Sequence, residues 1–317
     1  MNELEHEVSA AEAGRSALSV LSDLLPDVPT WALKQLFTQE LVLRDARPCG
    51  AGQGLAAGEV LAAEWDDLPR IEPRRLEGFE VLWRGAEVWA CHKPAGVSSE
   101  PERDGTEPLL RGAVLWELRR GGAPLTRPRV VHRLDKETTG AILIALSHAA
   151  LAALTAQLEA REVHKGYVAL VEGIPREDEG VIEAPLVTGK RKVRADDPAG
   201  VSARTRWRVL ERFARHAWVR AEPETGRTHQ VRVHLAHLGH PIVGDALYGT
   251  GGPLLLSRLK PGYVSRGEEK PLLARVALHA HDLRFRDPAS GAPVEVTAPL
   301  PHDLTVALKQ LRRLQRR

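Results

Sequence analysis

Cysteine is scarce. Cys49 and Cys91 are the only two in 317 residues. Two thiols cannot build a disulfide framework or a cysteine metal cage. No apolar run approaches the roughly 20 residues that a bilayer-crossing helix needs, so no membrane partner is expected. There is no Gly-x-Ser-x-Gly elbow for a serine nucleophile, and Cys91 has only its neighbour His92 to suggest activation. A Gly-rich phosphate cradle is missing too, which excludes ATP, GTP and dinucleotide cofactors from the expected chemistry. Net charge is only +2, so overall basicity does not signal nucleic acid. The N-terminus lacks early cations: Glu3, Glu5, Glu7 and Glu12 all precede Arg15. That is the reverse of a signal peptide, and it predicts a disordered acidic leader over 1–14 of a cytoplasmic protein.

What is present fits a soluble globular chain, with 43% apolar and 27% charged residues. The charge is unevenly spread. Between Leu186 and Arg220 stand ten Lys/Arg (Lys190, Arg191, Lys192, Arg194, Arg204, Arg206, Arg208, Arg212, Arg215, Arg220) against Asp196, Asp197 and Glu211, a local +7. Such a stretch suits phosphate contacts; the alternative is a solvated strand face.

In chain order, helices are predicted over 17–25 and about 30–40, the second with an apolar stripe of Trp31, Leu33, Leu36 and Phe37. Strands at 41–44 and 55–61 complete a small module over 15–64. This module resembles the alpha-L RNA-binding domain of ribosomal small-subunit protein four, although its second helix carries Lys34 as its one cation. It could equally serve dimerisation or docking. A linker is expected over 65–77 and a second domain over 78–317. Within that domain, strands are predicted at 79–83 and 87–91, a helix near 113–119, and a buried strand at 141–146. A helix over 147–161 and a strand over 166–173 follow. Thr228 is the expected cap of a helix stopping at Gly239, strands recur near 278–283 and 294–297, and a basic helix spans about 302–316. Many short strands and few helices indicate an α+β fold.

Three chemistries deserve weighing. His229, His234, His237 and His240 are close in sequence, so a metal-dependent hydrolase is one reading; yet the helix carries no carboxylate, and no metal is expected. The stretch Val131-His132-Arg133-Leu134-Asp135-Lys136-Glu137-Thr138-Thr139-Gly140 places a carboxylate between two cations just before an apolar strand. A cation beside a carboxylate favours its ionised form, and a rigidly held Asp can attack a sugar carbon or remove a sugar proton. The same residues could form an ordinary salt-bridged turn. A non-catalytic RNA-binding protein is the third reading.

His132-Arg133-Leu134-Asp135 with Thr138, Thr139 and Gly140 resembles the signature of the RluA-type pseudouridine synthases. So do Lys93-Pro94-Ala95-Gly96, Lys165-Gly166-Tyr167-Val168-Ala169, and Thr225-Gly226-Arg227-Thr228-His229-Gln230-Val231-Arg232-Val233-His234-Leu235 with Gly244-Asp245. The four motifs occur in the family's order across about 80–300. The resemblance implies a mixed, mainly antiparallel central sheet with flanking helices, and cofactor-free isomerisation of uridine in RNA, ribosomal RNA being favoured over tRNA. It makes Asp135 the catalytic aspartate, Tyr167 the uracil-stacking residue and Arg227 the partner of Asp135. Val231 or Leu235 would line the uracil pocket, Arg133 would fill the space of the flipped nucleotide, and His132 and Lys93 would contact RNA. A monomer is expected.

Overall fold

The computed structural model describes residues 2–99, 109–189, 192–260, 262–265 and 267–315. Lys190, Arg191, Arg316 and the start of the Gly/Pro-rich 103–128 stretch therefore lie outside the described residues. The chain forms two compact units.

The first unit holds the described residues of 2–77, 109–129 and 145–148. Its elements are β1 (Asn2–Glu7), α1 (Ala17–Leu24), α2 (Thr30–Thr38), β2 (Val42–Arg44), β3 (Arg47–Pro48), β4 (Val60–Trp65) and α3 (Leu109–Arg120). The sheet order is β1-β4-β2-β3. Ser16 caps α1 by accepting from the Ser19 N–H, and Val20, Leu21, Leu33 and Leu36 pack with Leu61 and Ala63 into one core. The expected disordered leader is corrected here. Residues 2–7 pair in antiparallel register with β4, from Asn2 opposite Trp65 to Glu7 opposite Val60. The acidic composition concealed a strict alternation: Glu3, Glu5 and Glu7 face solvent while Leu4 packs on the core. The return strand also falls later than expected, at Val60–Trp65 rather than 55–61. The expected linker is likewise part of this unit, since Leu68 and Ile71 are buried and Arg70 pairs with Asp27.

Arg127 ties α1 to α2 in this unit. Its buried guanidinium donates to the Val28 carbonyl at 2.9 Å and to the Thr30 hydroxyl at 2.7 Å, with longer contacts to the Ser22 and Leu25 carbonyls. One cation thus satisfies oxygens that the end of α1 and the following turn leave open.

The second unit is an α+β assembly on a ten-stranded, mainly antiparallel sheet. Its strands are β5 (Glu80–Arg84), β6 (Val88–Lys93), β7 (Arg129–Val130), β8 (Thr139–Ala145), β9 (His164–Glu172), β10 (Glu179–Glu183), the separate hairpin β11 (Leu186–Thr188) and β12 (Val193–Ala195), β13 (Arg204–Arg212), β14 (His216–Pro223), β15 (Leu278–Arg286) and β16 (Pro293–Thr297). Helices α4 (His148–Glu159), α5 (Gln230–His237), α6 (Leu256–Leu259) and α7 (His302–Gln315) complete it. The sheet runs β10-β13-β14-β9-β15-β8-β6-β5. The β8–β15 pair is parallel, whereas β9 pairs antiparallel with both β14 and β15. All seven residues of β8 are buried, which explains its unbroken apolar run. Among the described residues no helix is long and apolar enough to cross a membrane.

Register decides where the basic stretch points. Arg208 lies opposite Arg220, and Arg220 opposite Val168, whereas Trp207, Ala221 and Tyr167 line up on the other face. Arg206, Arg208 and Arg220 therefore occupy the face away from Tyr167. Several cations of the basic stretch are met by nearby acids: Arg204 by Glu183 and Glu224, Arg206 by Glu224, Arg212 by Asp178, and Arg220 by Glu222 of its own strand and Asp282 of β15. Part of the charge counted along the chain is thus offset in space by acids from nearby segments.

Candidate active site

Asp135 sits on the turn between Val130 and β8, and four contacts fix the backbone around it. The Ser99 hydroxyl donates to the Leu134 carbonyl at 2.9 Å and accepts from the Leu134 N–H at 3.1 Å. The Lys93 ammonium donates to the Lys136 carbonyl at 3.1 Å. The Thr138 N–H donates to the Asp135 carbonyl, closing the turn. Arg275, bidentate on Asp303, donates to the Glu137 carbonyl at 3.2 Å. Gly140 then starts the strand with φ +121°, where a Cβ would stand 2.1 Å from the Ala280 carbonyl oxygen. Only glycine allows that close approach.

The carboxylate of Asp135 is 19% exposed. Its Oδ2 accepts from Arg232 Nη1 at 2.9 Å. Its Oδ1 has His229 Nε2 at 3.8 Å, too far for a hydrogen bond. One oxygen is anchored by a hydrogen bond and the other has none among the described residues.

Arg232 is the hub. It lies in the first turn of α5 and is 8% exposed. Its Nε and Nη2 bind the two oxygens of Asp245 at 2.7 and 2.9 Å. Asp245 is fully buried, and its Oδ1 also accepts from the Leu247 and Tyr248 N–H groups. Burial alone would raise its pKa, but the Arg232 guanidinium and these N–H donors outweigh that and hold it below the usual carboxylate value. Arg232 also lies over the Tyr248 ring, 5.2 Å from its centroid. The Tyr248 hydroxyl accepts from the Val193 N–H and bonds His229 Nδ1 at 2.9 Å. Gly244 permits the loop: its φ is +79°, and a Cβ there would meet the Arg275 carbonyl oxygen at 2.2 Å.

The expectation that Arg227 holds Asp135 is corrected. Arg227 is exposed, in the loop before α5, and its Nε donates to the Ser202 carbonyl at 3.3 Å. The cap also differs from Thr228: His229 precedes the helix in a left-handed conformation with φ 55°, and the helix starts at Gln230. That start puts Arg232 on the inward first turn and leaves Arg227 outside it. Position 232 was legible in principle, since it shares a helical face with Leu235 three residues on.

The remaining expected residues divide. Tyr167 on β9 packs against the main core and lies within the electrostatic reach of Asp135. Burial, aided by that negative charge, pushes its phenol well above the usual range, so it remains protonated. Val231 and Leu235 belong to the same core, Leu235 being only 1% exposed. Arg133 is exposed and close enough to His229 to lower its basicity, behind burial as the main cause. His132 accepts from the Leu143 N–H at 3.2 Å, and burial pushes its pKa down to about 3, so the ring is neutral and braces β8. Lys93 is corrected: it is 0% exposed and donates to the Pro94, Val97 and Lys136 carbonyls, so it holds the loop from inside and does not reach RNA. Thr139 keeps a useful hydroxyl, bonded to His279 Nδ1 at 2.8 Å.

The histidine cluster does not assemble. His234 has both ring nitrogens engaged, by Thr205 and the Ala184 carbonyl, while His240 bonds the Glu172 carbonyl. Among the described residues no group of three or more His, Cys, Asp or Glu is placed to hold a metal ion.

Asp135 is thus clamped along its backbone, held at one oxygen by Arg232, and within electrostatic reach of Tyr167 on an antiparallel-rich sheet. Residues 87–237 match the family model described as RNA pseudouridylate synthase, and the chain belongs to the RluA-type family of RNA pseudouridine synthases. It is 35% identical over 316 residues to ribosomal large subunit pseudouridine synthase D of Xanthomonas campestris pv. campestris, covering 96% of this chain and 91% of that protein. An uncharacterized RNA pseudouridine synthase of Chloroflexus aurantiacus is 36% identical over 300 residues, covering 92% and 88%. Among solved structures, human RNA pseudouridylate synthase domain containing 4 superposes with a TM-score of 0.57 at 25% identity, over 73% of this chain and 92% of that one. The protein is thus an enzyme, an isomerase acting on RNA.

Proposed function

We propose that this enzyme converts uridine to pseudouridine in large-subunit ribosomal RNA rather than tRNA, as a cytoplasmic monomer, and that Asp135 carries the reaction. Support for the target comes from relatives named for the large ribosomal subunit. One observation carries the catalytic reading: Asp135 has one oxygen fixed by Arg232 and the other unbonded among the described residues.

Uridine becomes pseudouridine when the C1′–N1 bond breaks, uracil turns, and a C1′–C5 bond forms. The C5 proton leaves and N1 gains one, so nothing is consumed. The open oxygen of Asp135 initiates this by attacking C1′ or by removing the C2′ proton; either route frees the uracil. Tyr167 stacks on the uracil as a protonated phenol rather than as a standing phenolate base. The uridine must leave its stack to reach Asp135, at a cost of a few kcal/mol, and Arg133 fills the space it vacates. The metal-hydrolase reading lacks a ligand set, because the His234 nitrogens are already taken.

Mapping pseudouridines in total RNA from a strain lacking this protein tests the target. Loss of one or more pseudouridines from large-subunit rRNA is expected. An unchanged rRNA map with pseudouridine lost only from tRNA would overturn the assignment.

A further inference from the structure

We propose that Lys165 is a substrate-binding residue whose ammonium takes a phosphodiester oxygen of the RNA beside the flipped uridine. This inference rests on the functional reading above.

The placement comes from the sheet. Lys165 and Tyr167 are two apart on β9 and so share a face. Gly166 between them points the other way, where a Cβ would strike Arg220 and Asp282. Lys165 is therefore directed to the side of the sheet that bears Tyr167. At its tip, Lys165 Nζ lies 3.6 Å from where a Gly226 Cβ would be, beneath the loop that leads into α5. Its charge is also felt at His132, three residues from Asp135. Lys165 thus lies on the Tyr167 side of the sheet, beside the Thr225-Gly226-Arg227 loop and within electrostatic reach of His132.

Its bonding is unusual for such a position. Lys165 is half-buried, yet no hydrogen bond or ion pair engages its ammonium among the described residues. Lys93 is the contrast, being buried with three carbonyl partners. A cation drawn partly out of water with no partner carries an uncompensated desolvation cost. Burial accordingly lowers its pKa below the ordinary lysine value. An arriving phosphate supplies the missing charge and acceptors at once, and phosphate contacts are what set register in RNA recognition. Nor do Arg206 and Arg208 of β13 do this work, since they face the opposite side of the sheet.

The test uses the full-length protein, an in vitro transcript of large-subunit rRNA, and the variants Lys165→Gln, Lys165→Met and Lys165→Arg. Direct binding is measured over a series of salt concentrations, and pseudouridine formation is followed in single-turnover reactions. Lys165→Gln and Lys165→Met are expected to weaken binding roughly tenfold to a hundredfold, as for loss of a charged hydrogen bond. The slope of log affinity against log salt should shrink by about one, and Lys165→Arg should restore much of both. The limiting rate at saturating enzyme should hold, and the thermal midpoint should stay level or rise, because an unpaired ammonium has been removed. A brace in the fold would instead lose stability when cut. An unchanged salt slope with Lys165→Gln, or a loss confined to the limiting rate, would overturn the inference. A wild-type protein that binds the transcript but forms no pseudouridine would count against the functional reading, while the slopes still judge Lys165.

Discussion

The guanidinium of Arg232 is divided between two carboxylates: Nη1 reaches Asp135 at 2.9 Å, and Nε and Nη2 clasp Asp245 at 2.7 and 2.9 Å. Asp245 takes the stronger, bidentate share. Arg232 is thereby fixed before any substrate arrives, and it orients Asp135 with a single N–H while sparing the second oxygen.

That division predicts an order of effects. Asp245→Asn should loosen Arg232 and lower the single-turnover rate while RNA affinity stays close to wild type. Arg232→Ala should be worse, costing about 3–5 kcal/mol of stability, because it strands the fully buried Asp245 charge. Arg227→Ala should leave stability within about 0.5 kcal/mol, as for an exposed side chain. Urea unfolding alongside single-turnover kinetics separates the three. A larger rate loss in Arg227→Ala than in Arg232→Ala would refute the assignment of the partner.

Asp135→Asn keeps the shape and one acceptor but removes the charge. Pseudouridine formation should fall below detection, with RNA binding retained within a few-fold. Wild-type turnover by this variant would remove Asp135 from the centre of the chemistry.

Lys93 gives the stability a definite dependence on pH. Burial lowers its pKa to about 7 from 10.5, although Glu137 and Asp135 pull the other way. Between those two values the unfolded chain keeps the proton and the folded chain releases it. The folded state therefore gains stability as pH rises through that window. Wild type measured against Lys93→Met should gain up to about 1.4 kcal/mol per pH unit across it, the buried charge being absent from the variant. Urea titrations at several pH values above 7 check this; a flat difference would mean that Lys93 stays charged.

Arg127→Met should destabilise the first unit selectively. It leaves the buried Val28 carbonyl without the donor that Arg127 supplies, at roughly 1–3 kcal/mol. Hydrogen exchange should show early opening of α1 and α2 while β8 and β9 keep their protection.

Much of this molecule was legible as pattern. The apolar run after Gly140 became β8, the stripe of Leu33 and Leu36 became a core-facing helix, and the ordered motifs identified the family. Other features could not be read along the chain because they arise across it. Arg204 and Arg220 looked like free cations until Glu224 and Asp282 arrived from other segments. Lys93 looked like a hand extended to RNA because sequence says nothing of the carbonyls that surround it. The resemblance implied Arg227, in the loop before the helix, whereas the inward first turn of α5 carries Arg232. The first strand was the opposite case: its alternation was in plain sight, and composition was allowed to outvote it.

The four tethers on the aspartate turn bear on the RNA as well as on the protein. With Leu134 held by Ser99, Lys136 by Lys93, Glu137 by Arg275 and the turn closed by Thr138, the Asp135 carboxylate, in its proposed role, has little freedom to travel toward a uridine. The motion that brings sugar and carboxylate together thus falls to the nucleic acid. Uridines already loosened by a loop, a bulge or a mismatch start nearer to the reactive geometry, while a uridine locked in a continuous helix must first be released. The rigidity of one protein turn is in this way a filter on RNA architecture, acting before any base is read.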